Sequence, residues 1–222
     1  MVTVFLDESG TDDKGVCVTV AGFYGDQDQW KMFCNLWKPH SDRFHALNSS
    51  SRFPKLCEAI EASKIHGVFL TIWKANYKAL TTEHMKSFIG NCYAVCALLC
   101  AMQICEEVKN VPISFVYELG QPNFEFVKRI LDAMMISGDH CISSVIGAKK
   151  TEFIKLHAAD FVSHCASTHD KPPLQRLFDA GLLKHGHITE EILRDAGPKV
   201  TAIVKKAKDE RRKARRLPDD AS

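Results

Sequence analysis

The sequence predicts an α/β fold, with one mixed five-stranded sheet flanked by helices and a helical C-terminal extension behind it. Three observations predict it. Apolar, β-branched runs of strand length alternate with stretches whose apolar residues recur every three or four positions, the periods of strand and helix. The order is three strands, a long helix, then strand, helix, strand, helix, which builds a mixed sheet with helices on its faces. Two of the strand runs, Val2 to Leu6 and Ile113 to Tyr117, lead directly into a carboxylate, Asp7 and Glu118. In a sheet of this order those strands can lie adjacent and parallel.

The first run, Val2 to Gly10, reads as a buried central strand. Burying a charge costs several kcal/mol unless it is paired or holds a metal, so Asp7 is the first candidate for chemistry. The alternative is that Asp7 or Glu8 accepts backbone N–H groups in the Ser9-Gly10 turn. Val16 to Tyr24 is a second strand and forms an antiparallel hairpin with the first. Asp26 to Lys38 is helical, with Trp30, Phe33, Cys34 and Trp37 on one face, and Pro39 ends it. A loop, Ser41 to Ser51, precedes a helix that opens at Pro54 and carries Leu56, Cys57 and Ile60. Ile65 to Lys74 is the third strand.

From a cap at Thr82, apolar residues from Met85 to Val108 trace one helix of some twenty-five residues. Cys92, Cys96 and Cys100 lie four apart on it. One helix face cannot wrap a tetrahedral zinc, and no paired cysteine or histidine motif supplies the other ligands, so they are assigned to the core. After strand Ile113 to Glu118, Asn123 caps a helix through Met134 that Gly138 ends, and Cys141 to Gly147 is the fifth strand. The last helix of the body, Glu152 to Ala166, carries Asp160 between Ala159 and Phe161. That is a third carboxylate in apolar company. Beyond a polar break at His169 to Pro173, Leu174 to Leu183 and Thr189 to Ala196 read as appended helices, and Pro198 begins a basic tail. The expected division is a domain over 1–170 and a helical extension over 171–222.

Composition is that of an ordinary soluble protein, at 222 residues with 45% hydrophobic and 25% charged. A charge already at Asp7, and no apolar stretch long enough to span a bilayer, predict a cytoplasmic protein with no membrane partner. Nine cysteines, an odd number, fit reduced thiols. The net charge of +2 hides an asymmetry, because Lys199 to Arg216 carries +7 and the rest of the chain −5. Lys205, Lys206, Arg211, Arg212, Arg215 and Arg216 are therefore candidates for neutralising nucleic-acid phosphates; the competing reading is a solvated terminal helix.

Three motifs carry a family resemblance: Phe5-Leu6-Asp7-Glu8-Ser9-Gly10, Phe44-His45-Ala46 and Leu156-His157-Ala158-Ala159-Asp160-Phe161. They resemble the domain-of-unknown-function 3800 family, placed in the ribonuclease H-like superfamily, over about 2–167. The resemblance implies a two-metal site in which Asp7, Glu118 and Asp160 hold Mg²⁺ or Mn²⁺ and cleave phosphodiester bonds. Three converging carboxylates repel one another, and divalent cations bound by oxygen ligands offset that. In the superfamily a further acid commonly stands on the first long helix; here that helix offers only Glu83, Glu106 and Glu107 near its ends, and Glu118 replaces the more usual aspartate. Strand alternation sends Glu8 to the other face, which leaves it a supporting candidate. His45 either meets substrate or is hydrogen-bonded locally, and Lys149 and Lys150 either hold a scissile phosphate or are solvated. The alternative function is an inactive module of the same fold that binds nucleic acid or protein.

Overall fold

A computed structural model describes residues 1–10, 15–80, 91–119, 124–138, 141–168 and 172–214. β1 (Val2–Ser9) and β2 (Cys17–Gly25) form the expected antiparallel hairpin, with Asp7 opposite Ala21. Gly10, just past β1, has a φ of +78°, and a Cβ there would lie 2.3 Å from the Cys17 carbonyl oxygen, so the position requires glycine. β3 (His66–Trp73) continues the sheet antiparallel to β2. On the other side of β1, β4 (Ile113–Glu118) runs parallel to it, with Leu6 opposite Tyr117, and β5 (Ile142–Ala148) runs parallel to β4.

A sixth strand corrects the five-stranded expectation. β6 (Leu183–His187) pairs in parallel with β3, giving the order β5-β4-β1-β2-β3-β6. Its sequence, Leu-Lys-His-Gly-His, buries only Leu183. Backbone pairing at the sheet edge, not an apolar pattern, makes it a strand, and periodicity has nothing to detect there.

The helices are α1 (Gln27–Trp37), α2 (Phe53–Ser63), α3 (Lys74–Leu80), α4 (Cys92–Glu107), α5 (Phe124–Ser137), α6 (Leu156–Ser167), α7 (Pro172–Asp179) and α8 (Glu190–Ala214). Strand alternation divides the core into two layers. Val4, Leu6, Val18, Val20 and Val68 face α3, α4, α5 and α8, whereas Phe5, Ala21, Phe23 and Phe69 face α1, α2, α6 and α7. α1 begins in a reciprocal capping box between Asp26 and Gln29. Its Trp30 indole N–H donates to the Thr3 carbonyl at 3.0 Å, which ties the helix to β1.

Helix boundaries move where side chains compete with the periodic signal. α4 starts at Cys92 because the Asn91 side chain accepts the Ala94 N–H as an N-cap; the cap expected at Thr82 lies outside the described residues. α6 starts at Leu156, four residues late, since Lys149 to Lys155 form turns in which the Lys149 carbonyl accepts from Glu152 and Phe153. α8 does not stop at Pro198 but continues through it to Ala214, with α5 and α3 packed along it. Tertiary packing there overrides the proline. Among the described residues no helix is long and apolar enough to cross a membrane.

Candidate metal centre

β1 and β4 point their C-terminal ends the same way, and the register that sets Leu6 opposite Tyr117 brings Asp7 and Glu118 side by side. Both follow the alternation of Phe5 and Val116 toward the α6 layer. α6 crosses that layer against β1 and β2 and delivers Asp160. The hydroxyls of Ser9 and Ser167 lie 2.8 Å apart, fastening the end of β1 to the end of α6. The three acids expected from sequence therefore meet at one edge of the sheet.

At their centre stands an amine. Lys150 Nζ lies 2.8 Å from Asp7 Oδ2, 3.1 Å from Glu118 Oε2 and 3.2 Å from Asp160 Oδ1. The Asp7 side chain is fully buried and that of Lys150 is 12% exposed. The expectation that Lys150 is solvated or free for a phosphate is corrected. It comes two residues after the end of β5, and residues just past the C-terminal ends of parallel strands share one edge of the sheet. Lys149 behaves otherwise: it is exposed and pairs with Glu152 at 3.7 Å.

Glu8, a supporting candidate, comes close to two of these acids. Alternation places it on the Leu6 face, yet carboxylate oxygens of Asp7, Glu8 and Glu118 lie within 4.8 Å of one another. Alternation fixes the direction of Cβ only. Glu8 thus joins Asp7 and Glu118 in one group of acids, and Lys150 ties Asp7 and Glu118 to Asp160.

The Phe44-His45-Ala46 segment reaches the site through its backbone. The Ala46 N–H donates to Asp160 Oδ2 at 2.9 Å, so Asp160 is held from one side by a peptide and from the other by Lys150. His45 itself is exposed, and its N–H faces Ser49 Oγ at 3.4 Å. Asp7 Oδ1 accepts the Glu8 N–H at 3.0 Å. Asp7 thus does accept a backbone N–H at the strand end, but only with Oδ1. Oδ2 is buried and meets, among the described residues, only the Lys150 ammonium.

The electrostatics follow from four acids and one amine in a partly dehydrated space. Burial pushes the Asp7 carboxyl well above its ordinary range; Lys150 opposes the rise, and Glu8, Asp160 and Glu118 add to it. Burial also lifts Glu8, to about 8, with Glu118 reinforcing the shift and Lys150 opposing it. For Lys150, burial works against the charge, but attraction to Asp7, Asp160 and Glu118 outweighs it and raises the pKa above the usual lysine value. One ammonium does not compensate the cluster.

No family model matches the chain, and no curated protein sequence does. Solved structures do match. Ribonuclease HII from Archaeoglobus fulgidus, in its complex with PCNA, superposes with a TM-score of 0.52 at 16% identity over 80% of this chain and 78% of its own. Ribonuclease H2 from Pyrococcus horikoshii OT3 gives 0.53 at 9% identity, over 80% and 77%. Bst-RNase HIII in complex with Mn²⁺ gives 0.52 at 17%, over 93% and 69%. The fold is ribonuclease H-like. At these identities the likeness establishes the fold, a mixed sheet flanked by helices, and what the edge cluster does is a separate question.

Proposed function

We infer that the chain is a metal-dependent nuclease whose site is Asp7, Glu8, Glu118 and Asp160. The observation that carries this is the convergence of acids from two strands and a helix: Lys150 Nζ lies within 3.2 Å of Asp7, Glu118 and Asp160, and oxygens of Asp7, Glu8 and Glu118 lie within 4.8 Å of one another. The donors are all carboxylate oxygens, which suit Mg²⁺ or Mn²⁺ rather than a thiophilic metal. Asp7 Oδ2, buried and, among the described residues, met by the Lys150 amine alone, is an oxygen to which such an ion fits. When bound, divalent cations of this kind lower the pKa of water and stabilise the charge on a phosphodiester in displacement.

The chain's own residues do the rest. Asp7, Glu118 and Asp160 would hold the ions together with Glu8, and the Glu8 N–H fixes the orientation of Asp7 through Oδ1. The Ala46 N–H fixes Asp160, leaving Oδ1 directed inward. Such anchoring preserves ligand geometry between turnovers. The three segments that resemble the domain-of-unknown-function 3800 family all meet at this point, which supports membership in that family. The likeness to ribonucleases HII and HIII supports a nucleic acid with an RNA strand as substrate. Exposed Lys205, Lys206 and Arg212 on α8 supply a basic track for its phosphates; Arg211 lies in the same helix, and Arg215 and Arg216 lie outside the described residues.

The test is cleavage of end-labelled RNA, DNA and RNA–DNA hybrid with Mg²⁺ or Mn²⁺. Cleavage that needs the metal and is lost on Asp7→Asn and Asp160→Asn is the expected result. One observation favours a second reading, an inactive module: the Lys150 ammonium itself pairs with Asp7, Glu118 and Asp160. On that reading no substrate is cut, and Asp7→Asn leaves nucleic-acid binding intact.

A further inference from the structure

Lys150 is placed as no substrate-binding lysine would be. An amine that holds a phosphate presents Nζ to the substrate side; this one turns inward, within 3.2 Å of three carboxylates, at 12% exposure. Its backbone is in the turn between β5 and α6, and its stem is a flexible four-carbon chain, so the head can leave without moving a strand. The position it occupies adjoins Asp7 Oδ2, Glu118 Oε2 and Asp160 Oδ1, and a cation held by these acids would compete with the ammonium for the same oxygens.

We propose that Lys150 is a built-in competitor for the metal: it occupies the ion's place in the metal-free protein, holds the acids together, and swings out to solvent when a divalent cation enters. This rests on the reading of the cluster as a metal site and adds to it the control of its occupancy. Two consequences follow. The metal binds only to the fraction of molecules in which Lys150 is out, so the apparent dissociation constant exceeds the intrinsic one by the inverse of that fraction. The acids also stay paired between metal-binding events, which protects the fold from leaving several buried charges without a counter-ion.

Isothermal titration of the whole protein with MnCl₂, wild type against Lys150→Met, reads the competition directly. Methionine keeps much of the stem and removes the charge. The expected result is Mn²⁺ binding tighter by roughly tenfold or more in the variant, as for a site whose competent fraction rises from about a tenth to nearly all. A second measurement uses wild-type protein alone, so that it does not depend on the variant folding. Lysine reductive methylation is followed by peptide mass spectrometry in EDTA and in MnCl₂, with exposed Lys149 as the internal reference. Lys150 is expected to label slowly in EDTA and several-fold faster with Mn²⁺, while Lys149 is unchanged. Wild type that binds Mn²⁺ while Lys150→Met binds it no tighter, or while Lys150 labels at one rate in both conditions, overturns the competitor role and leaves the metal site standing. No Mn²⁺ binding by wild type or by a folded variant overturns the metal site and the competitor with it.

Discussion

Two sets of chemically capable side chains lie on opposite sides of the sheet, and they differ in what surrounds them. Cys96 and Cys100 are four apart on α4, both wholly buried in the layer with Val4 and Leu6. Their sulfurs turn to backbone carbonyls: Cys96 Sγ lies 3.1 Å from the Leu70 oxygen and Cys100 Sγ 3.7 Å from that of Val68. Burial pushes both thiols far above their ordinary pKa, away from the thiolate that metals and oxidants need. The acids at the sheet edge come instead from β1, β4 and α6, converge, and among the described residues leave Asp7 Oδ2 facing an amine. Regular spacing on one element produced packing, whereas convergence from several elements produced a charged site.

Substitutions in the two sets should therefore separate activity from stability. The largest effect belongs to Asp7→Asn. It should lower metal-dependent cleavage by roughly 10³-fold or more, the scale of several kcal/mol of transition-state stabilisation, while circular dichroism shows the fold retained. Next comes His157, which lies one helical turn before Asp160 yet belongs with the cysteines, because its Nδ1 accepts the Trp37 indole N–H at 3.0 Å inside the core. Burial lowers its pKa to about 4. The folded protein therefore resists protonation that the unfolded chain accepts from about pH 6.5 downward, and stability falls between about pH 6.5 and 4 by up to about 3 kcal/mol. His157→Gln, which keeps an acceptor but does not titrate, should show a smaller loss over that range in urea melts at a series of pH values.

Cys96→Ala should cost roughly 1–2 kcal/mol through the cavity it leaves and should leave Mn²⁺ binding and cleavage at wild-type levels. A loss of metal binding in that variant would break the comparison. The smallest effect is expected at Lys149, whose exposed pair with Glu152 contributes at most about 0.5 kcal/mol. Lys149→Gln should be silent in melting and in Mn²⁺ titration, in contrast with its neighbour Lys150.

How far the site can be read from sequence follows the same division. Asp7, Glu118 and Asp160 are legible because each breaks an apolar pattern where a charge is costly. Glu8 and Lys150 are not: strand alternation does not reveal that the Glu8 carboxylate comes within 4.8 Å of those of Asp7 and Glu118, and a Lys-Lys-Thr segment has the composition of a solvated turn. Placing Lys150 needs the knowledge that it follows β5 at the edge shared with β1 and β4. β1 to β5 and the order of the main helices follow from periodicity, with α3 unforeseen. β6 does not, since it is held by backbone pairing; nor does the start of α4, which the side chain of Asn91 decides, or the passage of α8 through Pro198, which packing against α5 decides.

The central claim, that the four carboxylates form a metal site with Lys150 in the ion's place, is tested most directly by diffraction from crystals soaked in MnCl₂ at the manganese absorption edge. The account predicts anomalous density within bonding distance of Asp7 Oδ2, shared with Glu118 or Asp160, and the Lys150 head displaced from its 2.8 Å contact with Asp7. Crystals that show no anomalous density there at millimolar Mn²⁺, with Lys150 still seated among the three acids, would contradict it.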